Sequence, residues 1–179
     1  TRTIAEEIKN QVYYQVETLI FGDAINRSKY PTRIIVGAKN SEEPLRPEFE
    51  RILKLYKCPI LIFKYETAEF TKISINAYLA TDINLSNTLA EICESINAEW
   101  SDIVKALKLD KRIGDHRYLK PGLGIGGGNI ERDLRTISKL AIINQTNAKI
   151  IEAIIETNSH HKDWVKRTLI RLKAFNEFN

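Results

Sequence analysis

Five glycines in the seven residues from Gly122 to Gly128 run directly into a stretch with helical spacing, PGLGIGGGNIERDL. Backbone without Cβ atoms lets N–H groups close on a ligand and takes positive φ freely. Asn129 stands where a helix N-cap belongs, and Glu131 and Asp133 read as acidic residues of the first turn. Ile130, Leu134, Ile137, Leu140 and Ala141 then repeat at helical intervals. The unpaired N–H donors and positive dipole end of such a helix favour a phosphate or carboxylate. Upstream, the polar and basic run DKRIGDHRYLKP is no strand, which excludes a dinucleotide turn; Gly-Asn-Ile in place of Gly-Lys-Ser/Thr excludes a P-loop. A loop needed only for a sharp entry into a helix would also use these glycines. Arg112, Arg117, Lys120, Arg132 and Arg135, all close in sequence, favour an anionic ligand.

A second pair with chemical potential is Lys72 and Asn76, four residues apart and therefore on one face of a helix. An ammonium above an amide can hold an oxyanion or orient a water, as acyl-transfer and hydride-transfer sites require. A surface lysine beside a helical asparagine is the commoner meaning of that spacing.

The elements that must position these residues change character along the chain. TIAEEIKNQ reads as the end of a helix, residues 12–17 and 33–37 as strands, and LRPEFERILKLY at 45–56 as a helix with Phe49, Ile52, Leu53 and Tyr56 on one face. PILIF, residues 59–63, is a continuous apolar run typical of a strand covered on both faces. The order strand, connection, strand, helix, strand belongs to an α/β sheet. From Thr67 the chain is helical. Residues 67–98 are apolar nearly all round, which predicts a helix buried on all sides, partly by a second copy in a homodimer. Further helices are expected at 100–107, from the glycine loop to about Ile143, and from about Asn147 to Ala174, with a polar segment at 108–120. The fold class is thus α/β followed by mostly α.

With 179 residues and 43% hydrophobic content, the chain can fill one full core or two small ones. A net charge of +4 suits an anionic partner, but the basic residues are scattered among 23 acidic ones, apart from a mild basic bias between His160 and Lys173. Neither a basic stripe nor a recognition motif points to nucleic acid. Cys58 and Cys93 suit neither a disulfide framework nor a zinc site and read as reduced buried thiols of a cytoplasmic protein, with no metal site expected. No apolar run reaches transmembrane length, and no signal peptide precedes Thr1, so no membrane partner is expected. A chain without methionine that opens on Thr1 reads as a piece of a longer one. Three strands make a poor sheet alone, so further strands are expected upstream.

TAEFTKISINAYLATDINLSNTLAEICESINAE, then LDKRIG, then YLKPGLGIGGG with Asp133 behind it, resembles the dimer-forming middle region of the UDP-glucose/GDP-mannose dehydrogenase family. YYQVETLIFGDAINRSKYPTRIIVG is similar to the end of that family's nucleotide-binding domain, where Pro-Glu-Phe-Leu-x-Glu-Gly precedes Pro-x-Arg-Ile. The resemblance implies residues 1–65 as the end of a Rossmann-like domain with strands near 12–17, 33–37 and 59–63. It implies 66–160 as a helical dimerisation domain built on the long helix from about residue 67, and 161–179 as a helix leading to a third domain. It implies an NAD-dependent enzyme that oxidises the primary alcohol of a sugar nucleotide twice, ending at the uronic acid for polysaccharide biosynthesis, with most of the NAD site upstream of Thr1.

By the same resemblance, Lys72 and Asn76 match the lysine and asparagine that stabilise the oxyanion and position water, and Asp133 matches an aspartate behind the nucleophile. Tyr118, Leu119, Lys120, Pro121, Gly122 and Gly126 match the loop that wraps the sugar nucleotide. Arg112 matches an arginine reaching into the neighbouring subunit's site, though one extra residue separates it from Tyr118. Arg132 stands for a lysine near the cofactor, and Glu17 for the first upstream glutamate. Two positions depart from the pattern. Asn129 occupies the place of the nucleophilic cysteine, and an amide forms neither thiohemiacetal nor thioester. Phe21 occupies the place of the second glutamate. The readings that follow are a dehydrogenase without the covalent step, a catalytically silent relative that binds sugar nucleotide, and a purely structural helical dimerisation module.

Overall fold

The computed structural model describes residues 2–8, 10–20 and 22–172. The chain forms two compact units, residues 1–74 and 75–179, and one helix runs through the boundary between them.

In the first unit, helix α1 (Arg2–Glu7) precedes strand β1 (Tyr14–Gln15), helix α2 (Ala24–Lys29), strand β2 (Ile34–Ala38), helix α3 (Pro47–Lys54) and strand β3 (Ile60–Lys64). The sheet order is β1-β2-β3, with β2 and β3 parallel through the α3 crossover and β1 antiparallel to β2. The strand expected at 12–17 is paired only at its centre. Beyond it, the Val16 N–H still donates to the Ile35 carbonyl at 3.0 Å, but the Glu17 carboxylate then accepts the Leu19 N–H, a local bond that competes with the ladder.

The doubly covered strand is β2, whose five residues are all buried, and not β3, where no residue is fully buried and Leu61 is exposed. Hydrophobic runs do not encode sheet order; β3 pairs with one neighbour among the described strands, and β2 with two. On α3 the expected apolar face is half realised: Leu53 is buried and Phe49 stacks on Tyr13 with ring centroids 4.9 Å apart, while Ile52 and Tyr56 face outward. The core here is Ile34, Val36, Leu45 and Leu53. Gly37 marks the closest approach, since a Cβ there would lie 2.9 Å from the Ala68 Cβ and 3.2 Å from the Tyr14 Cβ.

Helix α4 (Tyr65–Ile96) begins directly after β3 and spans 32 residues. It is not buried all round within one chain: Tyr78, Leu85, Leu89, Ile92 and Ile96 are exposed and recur at heptad-like intervals along one face. The second unit adds helices α5 (Trp100–Leu109), α6 (Gly128–Ile143), α7 (Lys149–Lys162) and α8 (Trp164–Arg171). Its core is Ala80, Ile125, Leu134 and Ile154, with Ala77, Ile83 and Ile151 packed against it. The single last helix expected from Asn147 is broken at Asp163. That residue sits at φ −87°, ψ 3°, donating back to the His160 carbonyl in a tight turn and accepting from the Arg167 N–H to begin α8. The expectation for Lys173 to Ala174 lies outside the described residues. No described helix is long and apolar enough to cross a membrane.

Because Gly37 faces fixed atoms of α4 and β1 rather than a flexible side-chain end, Gly37→Ala should destabilise the first unit by about 1–3 kcal/mol. Denaturant unfolding followed by circular dichroism measures this; an unchanged midpoint would contradict the packing described.

Candidate functional site

Helix α4 carries a row of buried polar residues in its second half, and that row holds the glycine segment by its backbone. Asp82, Asn84, Ser86 and Asn87 are all buried. Asp82 pairs with Arg117 at 2.5 Å, the Ser86 hydroxyl donates to the Tyr118 carbonyl at 2.7 Å, and the Gly122 N–H donates to Asn87 Oδ1 at 2.7 Å. From α5, the Trp100 indole N–H reaches the Leu119 carbonyl at 2.9 Å. From α7, buried Asn158 accepts the Ile125 N–H at 2.6 Å and donates to the Ile125 carbonyl at 3.3 Å. Side chains from three helices thus replace the ladder bonds that a loop lacks.

The loop delivers the chain onto α6 through Gly127, at φ +83° and ψ 156°, a backbone state that only glycine adopts without strain. Gly127, and not Asn129, is the N-cap; Asn129 lies inside the first turn, exposed, because the helix starts at Gly128. No side chain caps this end, which leaves the first N–H groups of α6 to an external acceptor. Of the two acids, Glu131 lies in the first turn, whereas Asp133 is one residue group further on and buried. Its Oδ2 accepts a 2.7 Å hydrogen bond from Asn76 Nδ2, and Arg132 approaches Oδ1 at 3.3 Å. Asn76 and Asp133, 57 positions apart, are therefore joined in one buried pair.

The charges near the loop are more self-satisfied than their sequence positions imply. Arg112 folds back onto Asp110 with bonds of 2.9 and 2.5 Å, raising its own pKa and holding the Asp110 carboxyl below its usual range. Arg135 takes Glu131 at 2.8 Å, and that bond, followed by one from Lys162, lowers the Glu131 pKa. Arg117 is held by Asp82. Lys120 is exposed, as are Tyr118, Pro121, Gly122 and Gly126, while Leu119 is half-buried. Lys72 is half-buried in the first unit, one turn before Asn76 on α4. Glu17 is exposed beside β1, and Phe21 lies outside the described residues.

Sequence reasoning missed Asp82, Ser86, Asn87 and Asn158. Their signal was there for the α4 residues, as polar types inside an otherwise apolar helix, but burial of that face depends on a loop more than thirty residues away. It also missed a cluster of Glu91, His160 and His161, whose ligand-type atoms lie within 4.8 Å of one another. The adjacent histidines are visible in the sequence, but Glu91 joins them only through the packing of α7 on α4.

Residues 66–160 match the model of the UDP-glucose/GDP-mannose dehydrogenase family, central domain. The chain belongs to this family. It is 34% identical to UDP-glucose 6-dehydrogenase of Rickettsia bellii over 149 residues, which are 79% of this chain and 33% of that protein. A UDP-glucose dehydrogenase structure from Pyrobaculum islandicum superposes with a TM-score of 0.75 at 28% identity, covering 89% of this chain and 37% of that one. The UDP-D-ManNAc dehydrogenase of Pyrococcus horikoshii shares the fold, with a TM-score of 0.77 at 18% identity over 98% of this chain and 42% of that one. The chain spans about one third of the length of the curated relatives it matches.

Asn158 is the sole described partner of both Ile125 backbone groups, and Asn158→Ala would leave them buried and unpaired. A loss of about 2 kcal/mol or more is expected, with faster hydrogen exchange at the Ile125 amide as the local readout. Unchanged exchange there would show that Asn158 does not hold the loop.

Proposed function

We propose that this chain is the sugar-nucleotide-binding and dimer-forming part of an NAD-dependent nucleotide-sugar dehydrogenase that acts without a covalent thiol intermediate. The observation that carries the reading is the uncapped N-terminus of α6 behind bare glycine backbone, with the buried Asn76–Asp133 pair one turn into the helix. Donors fixed in this way stabilise a developing negative charge whether or not a thiolate attacks, and are worth roughly 3–4 kcal/mol when preorganised. Tyr118 to Gly122 and Gly126 would wrap the sugar nucleotide, with Lys120 free to meet a phosphate. Lys72 would hold the alkoxide oxygen as the substrate loses its hydroxyl proton, and Asn76, fixed by Asp133, would orient a water for hydration of the aldehyde.

NAD supplies the hydride acceptor. By the resemblance most of the NAD site would come from residues outside this chain, and the exposed Arg132 guanidinium would be its contribution from here. With Asn129 where the family has its cysteine, the second oxidation has no covalent route; the reaction would stop at the aldehyde or pass through its hydrate. Arg112, turned onto Asp110, would have to release that carboxylate to serve a neighbouring subunit's site. Glu17 and Phe21 keep the substrate-side positions that the resemblance gives them. The domain limits 1–65, 66–160 and 161–179, and a cytoplasmic location, belong to the same reading.

The second copy of the homodimer would cover the exposed stripe Leu85, Leu89, Ile92 and Ile96 on α4. Leu89→Glu together with Ile92→Glu should convert the dimer to a monomer by light scattering; a monomeric parent chain would remove the dimer from the proposal.

The reaction is tested by NADH absorbance with several sugar nucleotides in the full-length protein. Turnover is expected, with the NADH-to-substrate ratio nearer one if the aldehyde is the end point, and Lys72→Ala should lower kcat more than it changes KM. The competing reading, a catalytically silent binder, is favoured by Asn129 itself. It predicts a thermal shift with sugar nucleotide and no NADH, even after Asn129→Cys with Phe21→Glu. A structural module alone would show neither.

A further inference from the structure

We propose that Glu91, His160 and His161 form a binding site for a divalent cation of the zinc class, in which the Arg167 guanidinium is the resident cation when no metal is bound. None of the three ligands is a residue assigned to the sugar nucleotide, although Pro121 and Gly122 line the cavity beside them.

The three ligand groups come from the middle of α4 and the end of α7. His160 Nε2 lies 3.1 Å and His161 Nδ1 3.6 Å from the same Glu91 oxygen, Oε2. Ligands around a tetrahedral zinc with bonds near 2.0–2.1 Å stand about 3.3 Å apart. The two spacings to Glu91 Oε2 are close to the edge length such an ion requires, and all three ligand atoms lie within 4.8 Å of one another. Two imidazoles and one carboxylate are a donor set suited to zinc or cobalt rather than to calcium or magnesium.

The surroundings support the ligand role of each group. His161 is buried, and its Nε2 lies 3.2 Å from the Thr88 hydroxyl; with the proton on Nε2 donated to that oxygen, the Nδ1 lone pair is left facing Glu91. A hydrogen bond on the far ring nitrogen is how proteins orient metal-binding histidines. Glu91, His161 and Asn87 line a cavity of about 210 Å³, and the Asn87 Nδ2 group is buried without a partner. An oxygen completing the coordination of the ion would give that donor an acceptor.

Arg167, from α8, occupies the same electrostatic position. Its Nη2 lies 2.7 Å from Glu91 Oε1, and its Nη1 is 2.7 Å from Nδ1 and 2.8 Å from Nε2 of His160. One positive charge is thus already shared by the carboxylate and the exposed imidazole. A metal ion and this guanidinium compete for the His160 ring nitrogen and for the charge of Glu91, whose Oε1 the guanidinium holds while both imidazoles face Oε2.

That competition gives the site a signature that a purely structural ion pair lacks. Titration of the chain with cobalt(II), followed by visible absorption, and with zinc(II), followed by calorimetry, should show one ion per chain and the absorption bands of tetrahedral cobalt. Glu91→Gln and His160→Asn should each weaken binding at least roughly tenfold, whereas Arg167→Gln, which removes the competitor, should tighten it by roughly tenfold. His160 is exposed, so its replacement leaves the core closed; the circular dichroism spectrum checks that each variant is folded. No saturable binding to either the parent chain or Arg167→Gln, or equal affinity in parent and Glu91→Gln, overturns the proposal. Binding that Arg167→Gln leaves unchanged overturns the competition and with it the site as drawn.

Discussion

The second unit depends on a row of polar side chains buried on α4. Asp82, Ser86 and Asn87 would each cost free energy in a helix face without partners, and each finds its partner in the loop between α5 and α6. The dependence runs both ways. A segment with so many glycines has a large conformational entropy to lose, and it gains almost no side-chain burial in return. Hydrogen bonds from α4, α5 and α7 to its carbonyls and N–H groups are what fix it in one form.

The order of the loop in turn sets the entry into α6. Ile125 is anchored in the core by its side chain and clamped at both backbone groups by Asn158. Two residues later Gly127 makes the positive-φ turn, so the first N–H groups of α6 point from a rigid base. A few residues into that helix, Asp133 is buried against Asn76, and this bond ties α6 to α4 at the point where the exposed Asn129 sits one turn above. Rigidity at this end is what a site needs if its donors are to act on charge as it develops.

Much of this was legible in the sequence, in proportion to how local its causes are. Glycine composition gave away the loop, and helical periodicity gave α4, α6 and the existence of α7. The long apolar helix and the order of types in the first sixty residues gave an α/β part followed by helices. What failed was set by distant packing. Sheet order left β3 with one neighbour and β2 with two, so the apolar run PILIF was less covered than Ile34 to Ala38. The N-cap moved from Asn129 to Gly127 because a glycine could take the turn that an asparagine would have had to cap. The break at Asp163 has no proline or glycine to announce it; it appears where Arg167 turns onto Glu91. All four arginines that the sequence places around the loop have carboxylate partners, because neighbouring acids such as Asp110 and Glu131 were weighed as background.

Asn129 at the mouth of the loop bears on how the protein meets an oxidising or alkylating environment. Both thiols of the chain lie elsewhere, Cys58 half-buried beside the first core and Cys93 buried on α4. Peroxide, iodoacetamide or a nitrosating agent therefore meets a carboxamide, and no thiol, at the entry to α6. Such reagents reach Cys58 ahead of Cys93, since the first thiol is half-buried and the second buried.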